Sequence, residues 1–326
     1  VDARGVPSAV RCAQTAGLPR QGCGRSSRFD AGTKPENQLV TVPFFVDAFG
    51  EFPPGHVRVH WSDTPRPSTP ELDSVIAEVW ERQLVECRAR GAILFNGRLV
   101  RWVGHRVEDG VLHVDTGPTD YRDFLGTNVH NAHRVAELGR ERFSNPIGTT
   151  ATVISRDGWL LYGRRSHRVV VHAGYLHTFG GSLEEADLRP GNVVDPFAAV
   201  GRELFEELGL GPGHIDEMVC VGLIHDHELV QPEMLFEAGV NLTRDDLLLR
   251  LDHSDVHQEH TAIESVRDEP DALAPFIRRS APIAPVALAA ICLHGWRRWG
   301  RGWYDAVVAA LWGEPPTGSA PAGSGR

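Results

Sequence analysis

The stretch GRELFEELGLG, Gly201 to Gly211, carries Glu203, Glu206 and Glu207 and closes on Gly-Leu-Gly. On a helix, positions three and four apart are neighbours, so these carboxylates meet and repel. The helix is nonetheless well specified. Asp195-Pro196 is a start signal, because Asp accepts orphan backbone N–H groups and Pro fits the first turn. Phe197, Val200, Leu204 and Leu208 form one apolar stripe, and Gly209 sits where a left-handed cap ends the helix. The glutamates gather on another face. Taken alone, that face reads either as a solvated acidic surface or as a seat for a cation. Converging carboxylates raise one another's pKa or collect a cation, and hard divalent ions prefer oxygen ligands.

The surrounding chain has 326 residues, 41 % of them hydrophobic, which is enough for one large core or two modest ones. A net charge of −10 argues against a sequence-independent grip on nucleic acid, but leaves anionic small molecules open as substrates. Lys34 is the only lysine, which fits codon bias in a GC-rich genome. The cysteines, Cys12, Cys23, Cys87, Cys220 and Cys292, are odd in number and lack metal-ligand spacing, so reduced thiols and a cytoplasmic location are expected. The longest apolar run, Ile283 to Leu293, is too short for a membrane span, and no signal-peptide block opens the chain.

Composition divides the sequence into a disordered leader (1–37), a small α/β extension (38–143), a main block (144–312) and a disordered tail (313–326). In the extension, Thr69-Pro70 and Gly91 bracket a helix with a stripe of Leu72, Val75, Ile76, Val79, Leu84 and Cys87. Strands joined by Asn96-Gly97 and Asp109-Gly110 turns are expected after it. The main block interleaves strands and helices, predicting a mixed sheet covered by helices. Trp296, Trp299 and Trp303 read as a packing stripe.

Arg202 to Leu210 resembles the core of the Nudix box at every fixed position, and it follows a strand ending in Gly180-Gly181, as in that superfamily. The resemblance implies an α/β/α sandwich and metal-dependent hydrolysis of a diphosphate anhydride. Glu203, Glu206 and Glu207 would hold Mg²⁺, with Mn²⁺ as the alternative, and Arg202 would brace them. One departure stands out. Between Gly181 and Arg202 lie 20 residues, about seven more than the family pattern, and the usual loop glutamate is replaced by Val194. Glu184 or Glu185 is a candidate substitute.

A second resemblance narrows the substrate. TDYRDFLGTN, Thr119 to Asn128, is similar to a segment of the animal Nudix branch that hydrolyses UDP-glucose and UDP-galactose. It implies UDP-sugar and water going to UMP and sugar 1-phosphate. Tyr121 and Phe124 offer an aromatic face to a base, or dock the extension onto the main block. Arg122 and Asn128 are candidate phosphate or ribose contacts, and Arg164 and Arg165 candidate phosphate clamps. Glu259 stands where that branch has a similar run, making it a candidate extra acid or base. The histidine runs at 224–228 and 255–260 lack a partner cluster of metal-site spacing. The alternatives are another nucleoside diphosphate derivative, of ADP-ribose or coenzyme A type, or a catalytically silent module that binds nucleotide sugars. A small-molecule partner is expected, with no nucleic acid and no membrane; the oligomeric state is open.

Overall fold

A computed structural model of the protein describes residues 42–313, apart from 90, 92, 168, 170 and 252–259. The expected leader and nearly all of the expected tail lie outside the described residues. The extension supplies β1 (Phe44–Phe52), β2 (Val57–Trp61), α1 (Pro70–Ala89), β3 (Arg98–Glu108) and β4 (Val111–Asp120). Short helical turns follow, among them α2 (Tyr121–Phe124) and α3 (Val135–Leu138). Then come β5 (Gly148–Ile154), β6 (Trp159–Arg165), β7 (Leu176–His177), β8 (Phe179–Ser182), β9 (Leu188–Arg189), β10 (Val193–Val194) and α4 (Pro196–Leu208). The chain closes with β11 (Ile215–Asp226), β12 (Pro232–Val240), α5 (Arg244–Leu251), β13 (His260–Arg267), α6 (Pro270–Arg279), α7 (Pro285–Trp299) and α8 (Arg301–Trp312).

Local signals set most boundaries. The Thr69 hydroxyl caps α1 through the Leu72 N–H, and Gly91 follows the helix with φ +68°. The buried face of α1 is Leu72, Ile76, Val79, Gln83 and Cys87, so Gln83 takes the place expected for Leu84. Asp109 and Gly110 both have positive φ and turn β3 into β4, as their pairing predicts. Asn96-Gly97 makes no such hairpin. Asn96 instead accepts the backbone N–H of Arg122 through its side chain.

The sheets do not respect the expected boundary near residue 143. The main mixed sheet runs β1-β11-β12-β5-β6-β13, with β7 on β6 and β8 on β5. Its edge strand β1 comes from the extension and pairs antiparallel with β11. The second sheet runs β3-β4-β2-β10-β9, so two strands from the loop before α4 extend the sheet of the extension. The lengthened Nudix loop is therefore structural: Val193 and Val194 pair with His60 and Val59.

One core joins α4 to both sheets. Val200, Leu204 and Leu208 of α4 pack with Ala151, Val153 and Phe236 of the main sheet and with Val100, Leu112 and Val114 of the second. Full burial of each such aliphatic side chain is worth about 1.5–3 kcal/mol. On the other face of the main sheet, α7 packs against β11 and β12, and α6 against β6 and β13. The tryptophans serve this layer as expected. Trp296 stacks on Phe49 at 4.1 Å, and Trp303 fills the space left by Gly295. Among the described residues no helix is long and apolar enough to cross a membrane.

A charged network locks α7 to the sheet. His294 Nδ1 lies 3.0 Å from Glu237 Oε1 of β12, and its Nε2 lies 2.8 Å from Asp268 Oδ1. Arg297 donates to Glu237 at 2.6 Å and to Glu51 of β1 at 2.8 Å. Burial alone would lower the His294 pKa, but its bonds to Asp268 and Glu237 outweigh this and push it up to about 9 from 6.5. The same bonds hold Glu237 and Asp268 below their ordinary values of 4.5 and 3.8, against the opposing effect of burial. The raised imidazole contributes stability that is complete below pH 6.5 and lost as pH climbs through 9. The depressed carboxyls contribute above their ordinary values and lose that contribution in acid. Thermal unfolding should therefore show Tm declining between about pH 6.5 and 10. His294→Gln should flatten that decline and cost about 3 kcal/mol near pH 6, because it removes the cation that links the two carboxylates and leaves only Arg297 and Arg298 beside them.

Candidate active site

α4 begins and ends as its sequence dictates. Asp195 accepts the N–H groups of Phe197 and Ala198, both at 3.1 Å, and Gly209 closes the helix at φ +65°. The glutamates are then delivered to β8. Glu203 and Glu207 are only 6 % and 7 % exposed, which rules out the reading as a wholly solvated face. Two glycines make this approach possible. A Cβ on Gly181 would stand 2.8 Å from the Glu203 carboxyl, and Gly180, at φ +150°, leaves no room for one beside Thr149. Gly180 also donates its N–H to Glu207 Oε2 at 3.1 Å.

Arg202 is drawn into the same cluster. It donates to Glu203 at 2.6 Å, lies 4.0 Å from Glu206, and pairs with Asp187 at 3.3 Å. Burial would lower its pKa, but Glu203, Asp187, Glu184 and Glu206 together hold it raised. On the far side of Glu207, His260 Nε2 lies 3.6 Å from its carboxylate. Among the described residues no group of three His, Cys, Asp or Glu side chains stands in the arrangement of a preformed metal centre. The chemistry of the donor set nonetheless fits a hard divalent cation: three carboxylates on one helix, with Arg202 as the cation beside Glu203 and Glu206.

The position of the usual loop glutamate has another use. Val194 is 3 % exposed, in the core that joins α4 to the second sheet. Asp187 supplies the loop carboxylate that reaches Arg202, with Glu184 in electrostatic range; Glu185 turns away to Arg98.

The glycine strand also lines a cleft. Gly180, Gly181 and Ser182 of β8 line it together with Gly148, Thr149 and Thr150 of β5 and Arg165 at the end of β6. Tyr121 and Phe124 of α2 form another wall, with Leu229 and Val286. Tyr121, Arg165, Gly180 and Gly181 are thus brought together. Tyr121 and Phe124 line this cleft and also pack against Val79 and Leu99, as the docking reading expects.

Other candidates lie elsewhere. Asn128 is fully buried, and its amide donates to Asn145 Oδ1 and to the Leu229 carbonyl while its oxygen accepts the Asn145 N–H. It staples the two blocks and has no capacity left for phosphate or ribose. Arg164 is spent on Glu264 and on the carbonyls of Ser280 and Pro282, so of the arginine pair only Arg165 lines the cleft. Arg122 is tied at its backbone to Asn96 and is not part of the cleft lining. Glu259 lies outside the described residues.

Sequence reasoning missed His172, His177, Gln231 and Glu233 as lining residues, and it set aside Asp226 within its histidine run. The signal for Glu233 was an acid inside the otherwise apolar strand QPEMLFEAGV. Burial, assisted by Arg165, pushes the His177 imidazole well below 6.5, so it is neutral.

No protein-family model matches this chain. It is 26 % identical over 230 residues to Nudix hydrolase 9 of Arabidopsis thaliana, covering 60 % of this chain and 70 % of that protein. It is 30 % identical over 152 residues to the uridine diphosphate glucose pyrophosphatase NUDT22 of Mus musculus, covering 43 % of this chain and 49 % of that one. The Bos taurus protein of the same name is 27 % identical over 127 residues, 33 % of this chain and 44 % of its own. The chain thus spans about half the length of these two pyrophosphatases. A solved Nudix-family hydrolase from Clostridium perfringens aligns at 11 % identity and TM-score 0.29, over 47 % of this chain and 98 % of that one. With its intact box, glycine strand and glutamate helix, the chain is similar to the Nudix hydrolases, a superfamily of pyrophosphohydrolases. Within the superfamily it resembles the uridine diphosphate glucose pyrophosphatases.

Val194→Glu, which restores the usual family residue, should place a carboxyl in an apolar core and destabilise the fold by about 2 kcal/mol or more. A lowered urea midpoint with no gain in turnover is the expected result.

Proposed function

We propose that the protein hydrolyses nucleoside diphosphate sugars, most directly UDP-glucose or UDP-galactose, to UMP and sugar 1-phosphate, with Mg²⁺ as its metal and Mn²⁺ as the alternative. The observation that carries this reading is the shared glycine strand. β8 receives the box glutamates and also lines the cleft that the decapeptide aromatics line. The similarity to the UDP-glucose pyrophosphatases supports the same substrate class.

Glu203, Glu206 and Glu207 would hold the cation, which when bound supplies charge neutralisation and Lewis acidity at the phosphates. Gly180 and Gly181 let a diphosphate approach the strand with no side chain between. Arg165 offers a fixed positive charge to phosphate oxygens. His177, kept neutral, can exchange a hydrogen bond with the substrate without adding charge. Tyr121 and Phe124 give a planar surface for the base. Arg202, tied to Asp187 and Glu203, holds the helix glutamates in register. A water oxygen forms the new bond to one phosphorus as the bridging anhydride bond breaks, and a carboxylate takes the water's proton. Glu259 and the helix glutamates are the candidates for that last role.

Mass spectrometry of a nucleotide-sugar panel with Mg²⁺ should show UMP released from UDP-glucose or UDP-galactose. Cleavage of ADP-ribose or coenzyme A alone would refute the substrate class and leave the superfamily untouched. Glu206→Gln or Glu207→Gln should lower turnover by several orders of magnitude with Tm nearly unchanged. Unaltered turnover in both variants would remove the glutamates from the metal seat.

A further inference from the structure

Three polar residues of the cleft have no part in the scheme above: Asp226, Gln231 and Glu233. Glu233 opens β12 opposite Gly148 of β5. Any Cβ on Gly148 would collide with the Glu233 carboxyl, so that carboxyl lies in the space a side chain at 148 would occupy. Gly148 itself lines the cleft, which puts the Glu233 head group into the cavity. Among the described residues the Glu233 side chain makes no hydrogen bond, and neither does that of Gln231. Asp226 is held beside them, its Oδ1 accepting the Leu229 N–H at 2.5 Å and its own N–H donating to the Gln231 carbonyl at 3.3 Å.

This corner is poorly suited to phosphate. Its side-chain oxygens are chiefly acceptors, which a hydroxyl can satisfy by donating and an ionised phosphate cannot. Burial first, and then the Asp226 charge, push the Glu233 pKa well above 4.5, with Arg165 opposing. Burial likewise raises Asp226. A carboxyl that keeps its proton has one donor and further acceptor capacity without net charge. That is the complement of a hydroxyl, which also donates and accepts.

We propose that Glu233, backed by Asp226 and Gln231, is the specificity-determining subsite for the hydroxyl groups of the substrate's sugar portion. The inference rests on the nucleotide-sugar reading above. It makes Gly148 a positioning residue, since its missing side chain is what admits the Glu233 carboxyl.

The full chain is assayed with UDP-glucose and Mg²⁺, and UMP and glucose 1-phosphate are tested separately as inhibitors. Glu233→Leu should raise KM roughly tenfold to hundredfold, the range for losing hydrogen bonds to a buried polar group, with kcat little changed. Glu233→Gln, which keeps shape and a neutral donor–acceptor pair, should stay within about threefold of the parent. Gly148→Ala, which pushes the carboxyl aside without removing it, should raise KM in the same direction, and it decides the matter if the Leu variant does not fold. Weakened inhibition by UMP would assign the hydroxyls to ribose, and weakened inhibition by glucose 1-phosphate to the hexose; either supports the subsite. Unchanged KM in both Glu233→Leu and Gly148→Ala would overturn it while leaving the nucleotide-sugar reading in place. If the parent enzyme cleaves no nucleotide sugar, that reading fails and the subsite fails with it.

Discussion

A helix that carries several carboxylates can be pressed against a sheet only where the sheet offers no side chains in return. Gly180 and Gly181 meet that demand. Gly181 leaves the volume that Glu203 enters, and Gly180 adopts a backbone that residues with a Cβ rarely reach while giving its N–H to Glu207. The energy that holds the glutamates there comes from the opposite face of the helix, where Val200, Leu204 and Leu208 are buried between two sheets. Arg202, anchored by Asp187, then limits the repulsion among the charges. The acidic face, the thin strand and the apolar stripe are one construction: without the stripe the carboxylates would drive the helix outward, and without the glycines they would have nowhere to lie.

The same strand also lines the cleft. Two sets of groups that differ in chemistry, the box carboxylates and a mixed aromatic and basic cleft lining, meet at this one strand. A comparable device recurs on the neighbouring strand, where Gly148 makes way for Glu233. Glycine here acts by the space it leaves for an acid from another element.

Much of this was legible in the sequence because it depends on local rules. The Asp195-Pro196 start, the Gly209 stop, the spacing of the glutamates and the paired glycines each act within a few residues and reappear in the structure unchanged. The failures share a different cause. Asn128 and Arg164 looked like ligand contacts because their residue types suit phosphate, but their partners lie far away in the chain: Leu229 in one case, Glu264 and Ser280 in the other. Glu233 was overlooked because it interrupts a strand pattern, and only the register against Gly148 explains it. Val194 looked like a lost acid. It is a β-branched residue in a strand pair with Val59, a partner no local pattern could name. The supposed boundary near residue 143 failed for the same reason, since composition cannot tell that β1 and β10 cross it in opposite directions.

That crossing has a consequence for how the chain acquires its shape. Phe44 of β1 pairs with Asp226 of β11, and Val59 of β2 with Val194 of β10, so each sheet is completed by a segment far away in sequence. Pairings of this kind bear their loop-closure entropy before they return any stabilisation, which slows folding. During synthesis the β1 strand must wait, unpaired, until β11 has left the ribosome, with Phe44 and Phe52 lacking their eventual neighbours. Neither half can then finish alone, and the chain must commit to both sheets in a single late step.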